Sequence, residues 1–259
     1  MGYQNILFQI KDSIARITLN QPEKRNPLSK LTMSEILNAL EISKKDDNAR
    51  VIIITGAGEK AFCAGANLTE FTGNNTMESR ELFGLYAKVC LAFTTLGKPS
   101  IAAVKGLALA GGCGLALYPD ITIATENAKF GVPEINVGVW PMMVSASMLR
   151  TVGRKKTLEL MCLGEIIDAR EALSIGLINR IVPDDQLEDA VNKIAGQLIS
   201  KSSAVLKLGI ESFYTMSDME YSKAVMFLRE MVTQLMNTED TKEGVTAFME
   251  KRKPVWKDQ

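Results

Sequence analysis

The sequence predicts a mixed α/β chain of 259 residues that becomes entirely helical toward its C-terminus. Up to about residue 200, short runs of β-branched residues alternate with segments whose apolar residues recur at helical spacing. Beyond that point only the helical pattern continues. We therefore predict an α/β region over residues 1–200 and a helical region over residues 201–259.

The first elements are predicted by β-rich runs and by helix-capping residues. Residues 6–10 and 14–19 are β-rich and flank a short polar segment, which indicates a hairpin. Ser29 is the predicted N-cap of a helix over residues 30–44. Residues 51–55 are almost wholly apolar, so we expect a strand that is covered on both faces. The remaining predicted strands are 100–104, 121–124 and 179–182.

The later part of the chain is dominated by predicted helices. Their apolar residues recur every three or four positions, as one buried helix face requires. The last helices carry many further apolar residues, which a subunit interface or an internal core would explain, and we expect an interface over part of this surface. The predicted helices are 77–96, 112–118, 145–152, 155–163, 169–174, 187–200, 204–216, 219–236 and 239–251.

Composition removes several classes of function. The 30 basic and 30 acidic side chains cancel, which gives no electrostatic argument for binding nucleic acid or an anionic membrane. There is no histidine, so Ser-His-Asp catalysis, Cys-His catalysis and histidine metal sites are excluded. The four cysteines form no paired metal-binding spacing, and we expect no metal. The N-terminus lacks a basic segment followed by a long apolar run, so we expect a cytoplasmic protein.

Three segments are candidates for chemistry. Gly111 and Gly112 have no Cβ, so a ligand can approach their backbone, and the predicted helix start suits a developing oxyanion. A strand-to-helix turn that uses glycine for packing explains them equally well. The small residues of 56–68 could also present backbone N–H groups to a ligand, or form a plain surface loop. The third segment is the loop after the predicted strand 121–124, in which Glu134 is an acidic residue.

Six motifs in order carry a family resemblance: RITLNQPEKRNPLS, AFCAGANLTEF, KPSIAAVKGLALAGGCGLALYPDITIA, AKFGVPEINVG, LGEIIDAREALSIGLINRIVP and FMEKRKPVWKDQ. Together they resemble the crotonase (enoyl-CoA hydratase/isomerase) superfamily, from about residue 14 to the C-terminus. The resemblance implies a crotonase-like spiral of ββα units with a C-terminal α-helical trimerisation region. It also implies a homotrimer or homohexamer that acts on an acyl-CoA, with coenzyme A as part of the substrate and no separate cofactor.

The same resemblance assigns residues to the site. Two backbone N–H groups, of Ala64 and Gly111, would hold the thioester oxygen as it becomes enolate-like. Trp140 and Met142 would line the acyl pocket. Lys251 would contact a phosphate of coenzyme A, but a solvated lysine at the end of a helix is an equally good explanation of this residue. The residues expected to contact coenzyme A, the last two from a neighbouring subunit, are Lys24, Arg25, Ala66, Leu68, Phe248 and Lys251.

The reaction depends on which carboxylates are present. Hydratases that resemble this chain carry two glutamates, and here only the second is present, as Glu134, because the first position is Gly114. A single carboxylate is enough to move a double bond, since it can remove one proton and return another. We therefore expect isomerisation of an enoyl-CoA, with Glu134 as the base.

Several alternatives stay open at this point. A hydratase could work with Glu134 alone if backbone groups hold the water, and an unusual enoyl-CoA could then be its substrate. Decarboxylation or thioester hydrolysis would be other superfamily reactions. A non-catalytic acyl-CoA-binding subunit would explain Gly114 as decay. We expect Tyr118 to be a packing residue, Cys113 to be a buried thiol and Asp120 to buttress local structure.

Overall fold

Two β-sheets organise the computed structural model, which describes residues 2–66 and 75–258. The described strands are β1 (Ile6–Lys11), β2 (Ile14–Leu19), β3 (Val51–Gly56), β4 (Ala61–Cys63), β5 (Ser100–Val104), β6 (Leu107–Leu109), β7 (Ile121–Thr125), β8 (Lys129–Gly131), β9 (Ile166–Asp168) and β10 (Arg180–Val182). The larger sheet has the order β1-β2-β3-β5-β7-β10, and the smaller has the order β4-β6-β8-β9. The chain thus forms the mixed α/β structure that its patterns predict.

Helices cover the sheets and make up the C-terminal part. The described helices are α1 (Lys30–Lys45), α2 (Thr76–Thr94), α3 (Gly111–Leu117), α4 (Met142–Leu163), α5 (Ala169–Ser174), α6 (Leu187–Ile199), α7 (Ser203–Met216), α8 (Tyr221–Leu235) and α9 (Glu239–Met249). Ser29 caps α1 as predicted, because its hydroxyl accepts a hydrogen bond from the Thr32 N–H at 3.0 Å. Gly153, with φ of +77°, interrupts α4 where the sequence predicts a gap between two helices.

A repeated ββα unit connects the two sheets. In the units β3–β4–α2, β5–β6–α3 and β7–β8–α4, the first strand joins the larger sheet and the second joins the smaller one. The first strands pair in parallel with one another, and so do the second strands. This is the spiral of ββα units that the sequence motifs imply.

The central strand β3 of the larger sheet is buried on both faces. Side chains alternate along a strand, so neighbouring residues belong to different cores. Val51 and Ile53 pack in a cluster with Val191 of α6, whereas Ile52 and Ile54 belong to the main core. All four strand side chains are fully buried, as the apolar run predicts.

Asp120 ties the helical part to the larger sheet. Its carboxylate accepts hydrogen bonds from the Ser100 N–H at 2.8 Å and from the Ser100 hydroxyl at 2.7 Å. The Tyr214 hydroxyl of α7 donates to the other oxygen at 2.7 Å. Asp120 therefore buttresses the start of β5, as expected.

The last helices leave apolar residues exposed, including a stripe on α8. On α8 the residues Tyr221, Val225, Leu228 and Val232 recur at helical spacing and are all exposed. Ala224 is the buried residue of this helix. No helix among the described residues has the length and apolar character needed to span a membrane.

Candidate active site

Three short parallel strands bring the predicted segments to one edge of the smaller sheet. Residues 64–66 follow β4, residues 110–111 follow β6 and Glu134 follows β8. The carboxyl ends of parallel strands meet at the same edge, where α/β sheets commonly bind ligands. The sequence does not predict these three strands, because each has only three residues.

The segments after β4 and β6 are in close contact. A Cβ added at Gly65 would lie 2.8 Å from the Ala110 Cβ and 3.5 Å from the Gly111 nitrogen. A Cβ added at Gly112 would collide with the Cys63 carbonyl. Glycine is therefore required at both positions for the two backbones to approach each other.

Two backbone amides at this contact donate to no acceptor among the described residues. Ala110 has φ of 54°, and α3 begins at the next residue. The Cys113 and Gly114 N–H groups both donate to the Ala110 carbonyl, at 3.0 and 3.2 Å. Within the described residues, the N–H groups of Gly111 and Ala66 donate no hydrogen bond. These two amides are available to a ligand oxygen.

The structure does not support Ala64 as the second amide donor. The Ala64 N–H donates to the Arg25 carbonyl at 3.0 Å, so it is already paired. Ala66 lies two residues further on and forms an isolated parallel bridge with Leu28. We therefore assign the candidate role of second amide donor to Ala66. The motif alone does not show which amide is hydrogen-bonded to the loop at Arg25.

Glu134 lies half-buried in a short 3-10 helix, Pro133–Val137, after β8. Its Oε2 atom is buried and accepts no hydrogen bond from any described residue. Burial raises the pKa of the Glu134 carboxyl, and a backbone hydrogen bond opposes the rise only in part. A buried carboxylate with an unpaired oxygen and a raised pKa is suited to accepting a proton.

Two tyrosine hydroxyls fill the space beside Gly114. A Cβ added at Gly114 would collide with the Tyr86 hydroxyl and lie 2.6 Å from the Tyr118 hydroxyl. The Tyr86 hydroxyl donates to the Gly111 carbonyl at 2.8 Å, and the Tyr118 hydroxyl donates to that of Tyr86 at 2.9 Å. The two tyrosine hydroxyls therefore fill the space that a side chain at position 114 would need. Tyr118 packs there and also donates a hydrogen bond.

Sequence reasoning does not single out Tyr86. In the sequence it belongs to the apolar face of a helix, between Leu82 and Val89, and nothing nearby marks it. The available signal is the hydroxyl itself, because a buried tyrosine hydroxyl needs a partner.

The cysteines near the site are neutral thiols. Burial raises the pKa of both Cys63 and Cys113 to about 12. The nearby Glu134 carboxylate adds a smaller upward shift to the pKa of Cys113. Neither thiol is a nucleophile at neutral pH. Among the described residues, no group of three or more Cys, Asp or Glu side chains could hold a metal ion.

The loop with Lys24 and Arg25 lies against β4. Asn26 is buried, and its amide donates to the carbonyls of Ala57 and Ala61 at 3.0 and 2.8 Å. The backbone bond between Arg25 and Ala64 adds a further link. Both predicted coenzyme A residues of this loop are exposed, next to the segment that holds Ala66.

The other predicted site residues lie in different surroundings. Trp140 is partly buried and packs on the main core, whereas Met142 is 68% exposed at the start of α4. Phe248 is 84% exposed, and Lys251 lies beyond the end of α9. Leu68 lies outside the described residues.

Comparison with protein-family models gives a match over nearly the whole chain. Residues 9–259 match the model described as enoyl-CoA hydratase/isomerase. A crotonyl-CoA hydratase of Syntrophomonas wolfei is 37% identical over 254 residues, with 98% of each chain covered. A short-chain-enoyl-CoA hydratase of Clostridium acetobutylicum is 36% identical, with 98% of this chain and 97% of that protein covered.

Solved structures agree over similar lengths. An enoyl-CoA hydratase from Bacillus anthracis superposes with a TM-score of 0.94 at 32% identity, covering 99% of this chain and all of the other. The human enoyl coenzyme A hydratase domain-containing protein 3 also gives 0.94, at 33% identity, covering 98% of this chain and all of the other.

Proposed function

The chain belongs to the enoyl-CoA hydratase/isomerase family, and we propose that it transfers protons at the α-carbon of an enoyl-CoA with Glu134 as the single carboxylate. The observation that carries this proposal is the buried Oε2 atom of Glu134, which no residue at positions 2–66 or 75–258 pairs, at the strand edge that also holds two amides without an acceptor in those ranges. Burial raises the pKa of this carboxyl, which makes the carboxylate a stronger base.

The Gly111 and Ala66 amides would bind the thioester oxygen. Removal of the α-proton places negative charge on that oxygen, and two N–H donors stabilise the charge where it develops. One such donor contributes about 3–4 kcal/mol to an enzyme's transition state. Because backbone groups supply both bonds, no cationic side chain or metal ion is needed for this step.

Isomerisation is the reaction that this geometry supports best. Glu134 would take a proton from C2 of a 3-enoyl-CoA, and the electron pair would spread over the thioester as a dienolate. The same carboxyl would return the proton to C4, leaving the conjugated 2-enoyl-CoA. The step needs one acid–base group and no water. Gly114 favours it, because the side of the site that could hold a second carboxylate is filled by Tyr86 and Tyr118.

Hydration is the second candidate, and the relatives favour it. The proteins similar over the whole chain are named crotonyl-CoA hydratase and short-chain-enoyl-CoA hydratase. Glu134 would activate a water for attack on C3 and then supply a proton to C2. The Tyr86 hydroxyl has a lone pair beyond its bond from Tyr118, and this pair could orient the water.

The deciding experiment offers purified protein a 3-enoyl-CoA and the matching trans-2-enoyl-CoA in deuterated water. Conjugated product without a hydroxyacyl product supports isomerisation, whereas hydroxyacyl-CoA from the second substrate supports hydration. Glu134→Gln keeps the size of the side chain and removes its basicity, so it should bind the thioester and lose both reactions. A wild-type protein that binds the thioester but forms neither the conjugated nor the hydroxyacyl product and places no deuterium on the thioester would be a binding subunit, and the proposal would be wrong.

The coenzyme A contacts are part of the same proposal. Hydrogen bonds to Ala61 and Ala64 hold the loop with Lys24 and Arg25 beside Ala66. The positive charges of this loop suit a phosphate-bearing ligand that approaches this edge. We propose that a second copy supplies Phe248 and Lys251, which are both exposed. Lys251→Ala should then weaken coenzyme A binding, while Lys253→Ala serves as the matched control.

We further propose that Trp140 and Met142 border the acyl chain. Met142 is exposed and Trp140 is partly buried beside it in the chain. Met142→Ala would be expected to change the preferred acyl length and to leave the affinity for free coenzyme A unchanged.

A further inference from the structure

We propose that Tyr86 is a positioning residue for the oxyanion hole, holding the backbone of Gly111 through a hydroxyl that Tyr118 in turn holds. The inference rests on the proposed function, because it concerns the amide that would bind the thioester oxygen. It adds a side chain from α2, an element that contributes none of the predicted site residues.

The hydroxyl chain is short, and each hydroxyl in it donates a hydrogen bond. Tyr118 donates to Tyr86 at 2.9 Å, and Tyr86 donates to the Gly111 carbonyl at 2.8 Å. Tyr86 is 8% exposed and Tyr118 is 6% exposed. Their rings meet edge to face, with centroids 6.1 Å apart. Two buried phenols that satisfy each other and end on one carbonyl form a rigid support.

Gly111 needs such a support. It has no side chain to pack, it follows Ala110 in a left-handed conformation, and α3 is only seven residues long. On one side, the Ala110 N–H donates to the Gly131 carbonyl at 2.8 Å. On the other side, the Tyr86 ring lies so close that a Cβ on Gly111 would be 3.3 Å from its Cε2 atom. Gly111 is therefore held between β8 and Tyr86.

The support does not depend on pH in the working range. Burial raises the pKa of both tyrosines well above the usual value, so both keep their hydroxyl protons. Tyr86 therefore acts as a constant hydrogen-bond donor, and the acid limb of activity belongs to Glu134. This separates a positioning role for Tyr86 from an acid–base role.

Position 114 follows from the same arrangement. Any residue with a Cβ at this position would displace both hydroxyls. Glycine is thus the residue that allows the tyrosines to reach Gly111. On this view Gly114 is part of a working site, and it does not mark the loss of one.

The first test measures how strongly the site polarises a bound thioester. A cinnamoyl-type CoA thioester absorbs at longer wavelength when donors pull on its carbonyl oxygen, and this readout needs no turnover. Tyr86→Phe should lose half or more of the wild-type shift. It should also lower kcat about 10-fold to 100-fold, the scale of a 1 Å misplacement in a catalytic site, while KM changes less than kcat.

Tyr214→Phe is the matched control. It also removes one tyrosine hydroxyl bond, to Asp120, but from a residue outside the site. It should keep the wild-type shift and kcat. If Tyr86→Phe also keeps both, the inference is wrong. If the pH profile of Tyr86→Phe loses or moves its acid limb, Tyr86 has an acid–base role and the positioning role is wrong.

Tyr118→Phe keeps the test usable if Tyr86→Phe does not fold. It leaves the bond between Tyr86 and Gly111 in place and removes only the donor behind it. A smaller loss of the shift in the same direction is expected, and an unchanged shift would contradict the hydroxyl chain. A wild-type protein that neither binds nor shifts the thioester would instead overturn the proposed function, independently of Tyr86.

Discussion

The substitution Gly114→Ala tests whether two phenols occupy this position, and its cost can be worked from the structure. The added methyl group would lie 2.6 Å from the Tyr118 hydroxyl and closer still to that of Tyr86, where ordinary contact begins at about 3.4 Å. Both hydroxyls must therefore move by close to 1 Å inside a packed region.

The expected cost has two parts. Overpacking a buried site by one methyl group costs about 1–3 kcal/mol. Displacing Tyr86 weakens its bond to the Gly111 carbonyl, which contributes about 1 kcal/mol. The free energy of unfolding should therefore fall by about 2–4 kcal/mol, which for a chain of this size corresponds to about 4–16 °C in Tm.

The assay is urea unfolding at one fixed protein concentration, followed by circular dichroism. Tyr86→Phe removes the nearer hydroxyl, so the double variant should recover at least about 1 kcal/mol relative to additivity. Gly84→Ala is the matched control on α2, because a Cβ there meets nothing within 4 Å. If Gly114→Ala costs less than about 0.5 kcal/mol, or if Tyr86→Phe does not relieve it, the reasoning about this space is refuted.

Four further predictions concern Glu134, Tyr214 and the last helices. Because burial raises the pKa of Glu134, kcat/KM should rise with pH through a pKa above the usual glutamate range; an acid limb within that range would contradict the assignment. The same burial disfavours the ionised form, so Glu134→Gln should raise stability to urea at neutral pH, and this gain should shrink as pH falls through the raised pKa. Tyr214→Phe should cost about 1–2 kcal/mol in urea unfolding, since it removes a bond to a carboxylate; an unchanged midpoint would show that Asp120 does not need α7. Val232→Lys in the exposed stripe of α8 should lower the mass measured by light scattering toward that of one chain; a mass that stays the same as wild type would place any subunit contact elsewhere.

Long periodic elements are predictable from this sequence, and three-residue strands are not. The strand at Val51 and the helix capped by Ser29 each carry their own signal, either a β-branched run or a side-chain cap. In contrast, β4, β6 and β8 have too few residues for a local preference to decide their structure. Their pairing depends on contacts between units that are far apart in the chain.

The same distinction holds for the site. Glu134 and the glycines at 111 and 112 are visible as residue types in a suggestive order. Which amide is free is not visible, because the Arg25 carbonyl consumes the N–H of Ala64 from another segment. Tyr86 is hidden for a related reason, since its partner lies 25 residues away. Hydrogen-bond partners of this kind are defined only by the folded chain.

The carboxyl ends of β4, β6 and β8 contribute different kinds of groups to the candidate site. Two of them offer main-chain N–H groups, provided that glycine at positions 65 and 112 lets the two backbones approach each other. Under the proposed function, side-chain identity matters chiefly at Glu134, at the glycines 65 and 112 and in the pocket beside Gly114. A few substitutions at these side chains would then change the reaction, while the main-chain contacts to the substrate would stay the same.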